Sequence, residues 1–309
     1  MRVESGERVY QEGVEDPTLI LVESGELEAH SGGTLLGTIG PGELLGEMAL
    51  FAGGTRSASV TARTPVDALV LDWDGHDELR RSEHPVASVL EREALSGLAR
   101  RWRHVVDAIA ARGGGEQVSV RGMGFSECVA AVMGMLRLTR AARPDRVRVL
   151  ARSRLFAGVA VDVLAELAEL LSVGVWAHGT EVFRRDDGGG VGVLVASGRV
   201  ELQVGDAGAR RRMAVVGPGE VAGIAPLAVA GATHVATGVV RRRLVALTIS
   251  HDAFDALLGR SDLVGSAFRV AMIRALAEHL SRANQRLSAI EQDDAELARL
   301  ARASGGAEW

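Results

Sequence analysis

Apolar residues recur at helical spacing in two long stretches of this chain. Leu95, Leu98, Trp102, Val105 and Ile109 stand three, four, three and four residues apart, the period of a seam that buries one helix face. Ile273, Leu276, Leu280, Ala283, Leu287 and Ile290 repeat the pattern further along. That second seam either packs on its own domain or pairs with its twin in a homodimer, and pairing is the expectation. A third amphipathic stretch runs from Asp162, a candidate N-cap, to Leu171, after a lead-in from Ser153 to Gly158. The segment 113–152 opens on Gly113-Gly114-Gly115 and continues as an apolar helical stretch from Phe125 to Leu138; Pro144 then starts another short helix. It reads as an ordered connector, because Val129, Val132, Met133 and Leu136 need a surface to cover them. No apolar run reaches the roughly 18–20 residues that span a bilayer, and no charged-then-apolar leader opens the chain, so a soluble cytoplasmic protein is expected.

The chain also repeats itself. Gly179-Thr180-Glu181-Val182-Phe183 echoes Gly6 to Tyr10, and Ser197-Gly198-Arg199-Val200-Glu201 echoes Ser24 to Glu28, both at an offset of 173. Gly217-Pro218-Gly219-Glu220 echoes Gly40-Pro41-Gly42-Glu43 at 177, so a small hairpin insertion separates two copies of one fold.

Candidate chemistry sits in the first copy. Between Gly42 and Val60, Glu47 and Arg56 flank a short apolar segment that contains glycine. A planar guanidinium grips a phosphate through parallel charge-assisted hydrogen bonds. A carboxylate is an acceptor only, so beside such an arginine its natural ligand is a neutral hydroxyl such as a ribose oxygen. Glu47 to Phe51 reads as one short helical turn, whose first backbone N–H groups lack acceptors and point at the same anion. In the second copy the corresponding stretch is Gly223-Ile224-Ala225-Pro226-Leu227. Ile224 stands where Glu47 stands, and His234, allowing one inserted residue, stands nearest to Arg56. Both polar anchors are lost, and Pro226 removes a backbone donor. His234 remains open to a role as a protonated phosphate ligand or pH sensor; the main reading is a degenerate module kept for packing or assembly.

Gly46, Glu47, Met48, Ala49, Leu50, Arg56, Ser57, Ala58 and Val60 resemble the phosphate-binding cassette of the cyclic nucleotide-binding domains. Those domains occur in catabolite activator-type regulators, protein kinase A regulatory subunits and nucleotide-gated channels. The segments Gly6 to Gly13 and Leu19 to Leu27 resemble the family's glycine-punctuated strands. The resemblance implies an α+β fold of two β-rolls, double-stranded jelly-roll barrels, each followed by a long helix. It divides the chain into a nucleotide-binding domain with a lid helix (1–112), the helical connector (113–152), a degenerate second domain with its C-terminal helix (153–292) and a tail (293–309). By resemblance, Glu47 binds the ribose 2′-hydroxyl and Arg56 the cyclic phosphate. The backbone amides of Met48, Ala49 and Ser57 take the other phosphate oxygens, and Gly46 allows close backbone approach. Ser57, after the arginine, favours cAMP over cGMP. Trp102 lies in the lid helix, where it either stacks on the purine or belongs to the core.

The function expected is that of a sensor or regulatory protein whose first domain binds the nucleotide and whose second serves assembly or contact with an unknown protein partner. A scaffold with vestigial domains, or a DNA-independent member of the catabolite activator-type regulators, is the alternative. A helix-turn-helix needs more chain than Glu291 to Trp309 provides. Composition narrows the field further. All 35 basic residues are arginine, and the net charge of −5 argues against broad nucleic-acid binding. The triplets Arg210-Arg211-Arg212 and Arg241-Arg242-Arg243 form either a local basic patch or solvated hairpin charges. The single cysteine, Cys128, excludes an internal disulfide framework and reads as a small buried apolar residue. With no nucleophile elbow and no metal-ligand spacing, neither an enzyme nor a cofactor or metal is expected.

Overall fold

A computed structural model of the chain describes residues 1–53, 55–113, 116–117, 144–205 and 210–304, without the side chains of Thr34, Glu116, Gln117, Asp294 and 297–304. Cys128 and the helix expected from Phe125 to Leu138 lie outside them. The described residues form two compact units, the first of 1–98, 155–167 and 252–278, the second of those from 99 to 154, 168 to 251 and 279 to 304. No helix among the described residues is long and apolar enough to cross a membrane.

The first unit is built on eight strands: β1 (Arg2–Val3), β2 (Arg8–Tyr10), β3 (Leu19–Ser24), β4 (Leu27–Ser31), β5 (Thr34–Ile39), β6 (Leu44–Leu45), β7 (Ser59–Ala62) and β8 (Val66–Leu71). They make two four-stranded antiparallel sheets, ordered β1-β8-β3-β6 and β2-β7-β4-β5. Ile20, Val22, Leu27, Val60, Ala62 and Val66 pack between them. The chain passes from one sheet to the other at Gly25, where φ is 87° and a Cβ would collide with Pro65 O, so only glycine fits. Between β6 and β7 lies a one-turn helix, α1 (Glu47–Ala52). After β8 come α2 (Trp73–Arg81), whose first turn is capped by the Asp72 carboxylate accepting from Gly75 N at 2.8 Å, and α3 (Pro85–Ala111).

The second unit repeats this plan. Its strands are β9 (Glu116–Gln117), β10 (Ser172–Trp176), β11 (Glu181–Phe183), β12 (Gly192–Val204), β13 (Arg211–Val216), β14 (Val221–Ala222) and β15 (Thr237–Ile249). The order is β10-β15-β12-β13-β9, with β11 on β15 and β14 on β12. At the offset of 173, β12 corresponds to β3 and β4 run together; its pairing with β15 shifts register between Val195 and Val200, around Gly198, the counterpart of Gly25. The other helices among the described residues are α4 (Arg146–Arg152), α5 (Val161–Glu169), α6 (His251–Gly259) and α7 (Leu263–Ser304), with a 3-10 turn at Arg154–Phe156. Asp145, next to Pro144, caps α4 by accepting from Arg148 N at 3.1 Å. Asp162 lies inside the first turn of α5 and not at its N-cap: Leu164 N donates to Ala160 O, which closes the turn one residue before Val161.

Both seams form helices, and the chain itself covers them. Leu95 and Leu98 are buried in the first unit, whereas Trp102 and Ile109 join Val106 in the core of the second. Ile273 and Leu276 are buried in the first unit, Leu280 and Ala283 in the second, where Leu287 and Ile290 pack on the same core. Four of the six residues of the α7 seam, Ile273, Leu276, Leu280 and Ala283, are thus buried within the chain itself. In the second unit α3 and α7 pack side by side and run the same way, with Trp102 against His279 and Arg112 paired with Glu291 at 3.2 Å. Helix α7 also continues to Ser304, past the residue 292 at which the sequence reading ends it.

One arginine of each triplet is held in an ion pair. Arg210 pairs with Glu181 at 2.5 Å, and Arg241 holds Glu201 through Nε at 2.9 Å and Nη2 at 2.7 Å. Arg211 and Arg212 lie on strand β13.

Candidate functional site

Helix α1 starts directly after Gly46, which has φ 95° and ψ 2°. A Cβ there would collide with Arg56 Nη1 and Thr18 O, so glycine is required by both conformation and space. As at the start of any α-helix, the N–H groups of Glu47, Met48 and Ala49 have no acceptor within the helix's own ladder. Its carboxylate, Glu47, and the cassette cation, Arg56, are 2% and 4% exposed. Two such charges are expensive to bury and are retained only where structure or ligand compensates them.

The structure supplies much of the compensation for Arg56. Its Nη2 donates to Thr18 Oγ1 at 2.8 Å and lies 3.2 Å from Asp16 Oδ1, and its Nη1 reaches Gly46 O at 3.5 Å. The guanidinium lies over the Tyr10 ring, 3.2 Å from ring centroid to carbon, a cation–π contact worth about 2 kcal/mol when desolvated. Thr18 Oγ1 gives its proton to Asp16 Oδ1 at 2.8 Å, so the Tyr10 hydroxyl, 3.1 Å away, acts as the donor to Thr18. Burial pushes the Tyr10 phenol above its usual range, opposed by the Thr18 hydrogen bond and the Arg56 charge. Arg56 Nε has no hydrogen-bond partner.

The six residues singled out from the sequence thus come together: Gly46, Glu47, Met48 and Ala49 are consecutive at the start of α1, Arg56 touches Gly46, and Ser57 Oγ meets Met48 Sδ at 3.7 Å. Sequence reasoning missed Tyr10, Asp16 and Thr18. In the same unit, Arg274 of α7 donates to Phe51 O, in the last turn of α1, at 2.8 Å and to Leu155 O at 3.0 Å.

In the second unit backbone pairing identifies the equivalent positions without ambiguity. Gly13 N donates to Arg56 O and Arg56 N to Val14 O, both at 2.9 Å; Asp186 N donates to His234 O at 2.8 Å and His234 N to Asp187 O at 3.1 Å. His234 therefore occupies the place of Arg56, as its place in the sequence suggested. It is buried and stacked on Phe183, with centroids 4.5 Å apart and planes 10° from parallel. Burial holds its imidazole below the ordinary histidine range despite the nearby Asp187 carboxylate and a hydrogen bond with the Gly189 backbone, while Arg103 pushes the same way as burial. Burial thus disfavours the protonated imidazole that a phosphate ligand would need. Ile224 is buried as well, and Arg103 of α3 donates to Thr233 O. Between Ala99, Arg100 and Arg103 of α3 and the cassette residues Ala225, Val229, Ala232 and Val235 lies a cavity of about 20 Å³, room for about one water.

Trp102 is packed in the core of the second unit, 5.4 Å from the His279 ring, which decides between its two readings in favour of the core. Among the described residues no three His, Cys, Asp or Glu side chains are grouped to hold a metal ion.

Compared with known proteins, residues 1–83 and 175–261 match the family model of the cyclic nucleotide-binding domain. A stretch of 72 residues, 23% of this chain, is 43% identical to the cGMP-dependent protein kinase egl-4 of Caenorhabditis elegans but spans only 9% of that protein. Another of 98 residues is 37% identical to Glutaminase 2 of Bradyrhizobium diazoefficiens, covering 31% of this chain and 16% of that one. Among solved structures, the regulatory domain of Toxoplasma gondii PKA with cAMP matches with 17% identity and a TM-score of 0.34, over 84% of this chain and 81% of that one. A cyclic nucleotide-binding domain from Methylobacillus flagellatus reaches a TM-score of 0.41 at 17% identity, over 46% of this chain and 79% of that one.

Proposed function

The chain belongs to the family of cyclic nucleotide-binding domains, and from that premise we propose that its first barrel binds cAMP, as the input of a regulatory protein, while the second barrel has become structural. The observation that carries the reading is the pair of buried charges at the entrance of α1: a guanidinium already oriented by Tyr10, Thr18 and Asp16, and the Glu47 carboxylate nine residues before it. Arg56 would take the cyclic phosphate together with the amides of Met48, Ala49 and Ser57, and Glu47 the ribose 2′-hydroxyl. Ser57 supports cAMP as the ligand. The likeness to part of a cGMP-dependent protein kinase makes cGMP the second candidate. The output would be a contact with a protein partner, made by the second unit or by the helices that enter it.

Binding acts on conformation only as far as the ligand prefers one state. Arg274, which holds the last turn of α1 from α7, is where a change at the cassette would first reach a long helix. The test is fluorescence or calorimetric titration with cAMP, cGMP and 2′-deoxy-cAMP. Wild type is expected to prefer cAMP, and Glu47→Ala to bind cAMP and the 2′-deoxy analogue alike. Arg56→Ala is expected to lose about 2–5 kcal/mol, a weakening of about thirtyfold or more. Equal loss for both analogues in Glu47→Ala, or an unaffected Arg56→Ala, would sink the assignment.

A further inference from the structure

We infer that Tyr10, Asp16 and Thr18 are positioning residues of the first cassette, whose task is to aim the Arg56 guanidinium at an anion; the inference rests on the cyclic nucleotide reading of that site. The chain contains its own control. At the offset of 173, Tyr10, Asp16 and Thr18 correspond to Phe183, Gly189 and Val191, and backbone pairing sets His234 against Arg56.

What the second barrel keeps and what it drops separate cleanly. It keeps the aromatic ring beneath the side chain, the pair of backbone hydrogen bonds on either side of it, and a glycine before the cassette turn, Gly223 with φ 77° in place of Gly46. These belong to the barrel. It drops the tyrosine hydroxyl, the aspartate side chain and the threonine hydroxyl, in a unit where the arginine is gone too. Those three groups make one connected set in the first barrel: Tyr10 to Thr18 at 3.1 Å, Thr18 to Asp16 at 2.8 Å, and both Thr18 and Asp16 to Nη2 of Arg56. A set that disappears with the arginine serves the arginine and not the sheet.

The physical gain is preorganisation. An arginine free to rotate must surrender rotamer entropy when it meets a phosphate, and one already locked surrenders little. Here Nη2 is tied down and the plane of the group rests on Tyr10. Nε is left without a partner, and Nη1 has only the long contact to Gly46 O at the start of α1.

The experiment installs the second barrel's residues in the first: Thr18→Val, Asp16→Gly and Tyr10→Phe, each titrated with cAMP and with its two phosphorothioate diastereomers, in which sulfur replaces one or the other exocyclic oxygen. Thr18→Val is expected to weaken cAMP about tenfold, the worth of a hydrogen bond to a charged group. It is also expected to change the ratio of affinities for the two diastereomers, which a general loosening of the barrel would leave alone. Melting temperature reports the fold, and in an Arg56→Lys background the effect of Thr18→Val should shrink. Variants that bind with wild-type affinity and ratio overturn the inference while leaving the site reading intact. So does an undiminished loss in the Arg56→Lys background, which marks a structural role, and so does tighter binding by Asp16→Gly, which marks a competitor. If wild type binds no cyclic nucleotide, the site reading fails and the inference falls with it.

Discussion

Gly46 shows how narrowly one residue is constrained at this site. Its positive φ and the closeness of Arg56 Nη1 and Thr18 O leave no room for a methyl group. Gly46→Ala should therefore cost about 1–3 kcal/mol in urea denaturation and displace Arg56, lowering cAMP affinity as well. An alanine variant with unchanged stability and binding would show that the approach is not tight. Two buried histidines give the protein a pH dependence of known sign. His234, facing Asp187 and Arg103, and His279, facing Val221 O, Glu220 and Arg282, are both held below the ordinary value of 6.5, in each case chiefly by burial. Their neutral forms are favoured in the folded state, so this stability is complete above pH 6.5. It is lost as pH falls through 6.5 toward the folded values. Melting temperature should fall from pH 7.5 to pH 5.5, and the slope should be shallower in His279→Gln; equal slopes would contradict the assignment. Glu47 and Arg56 were legible in the sequence because their types and spacing speak for themselves. Tyr10, Asp16 and Thr18 were not, since a tyrosine at a strand end and a polar turn look like ordinary surface until the fold brings them under the arginine.

At the level of elements, α7 carries more than an apolar stripe. In the first unit Arg269 is fully buried and donates through Nε to Glu91 Oε2 at 2.7 Å, while Ser266 Oγ donates to Glu91 Oε1 at 2.7 Å and His76 Nε2 lies 3.0 Å from the same oxygen. Arg269 Nη1 also donates to the carbonyls of Leu257, Leu258 and Arg260, which close α6. Removing one partner from such a network leaves a buried charge uncompensated. Glu91→Ala should lose about 3–5 kcal/mol, read by denaturant unfolding, and the Glu91→Met, Arg269→Met double variant should be closer to wild type. A double variant less stable than both single ones would contradict this. Periodicity revealed both long helices, because a stripe of period 3.5 is a local signal. It did not reveal what covers them: Leu280 and Ala283 read as one half of a dimer seam before they read as residues buried within the chain. Nor did it reveal Glu91 and Arg269, since a charge beside an apolar stripe usually faces water.

The molecule as a whole is a duplication in which the two copies have diverged in chemistry and not in architecture. The echoes at 173 and 177 were enough to read two barrels, and the matched segments 1–83 and 175–261 contain most of their strands. The distribution of the helices could not be read this way, because α3 and α7 each contribute residues to both units. With Ile273, Leu276, Leu280 and Ala283 already buried, the protein should sediment as a monomer at micromolar concentration, and a stable dimer would show that another surface serves assembly. The divergence has a direct count. One barrel holds an oriented arginine and a buried glutamate, whereas the other holds a buried histidine, an isoleucine and a cavity of about 20 Å³. Isothermal titration calorimetry of the full chain with cAMP should give one site per chain, weakened about thirtyfold or more by Arg56→Ala and unchanged by Ile224→Ala. Two sites per chain, no heat at high micromolar ligand in wild type, or a site that Arg56→Ala leaves at wild-type affinity would contradict it.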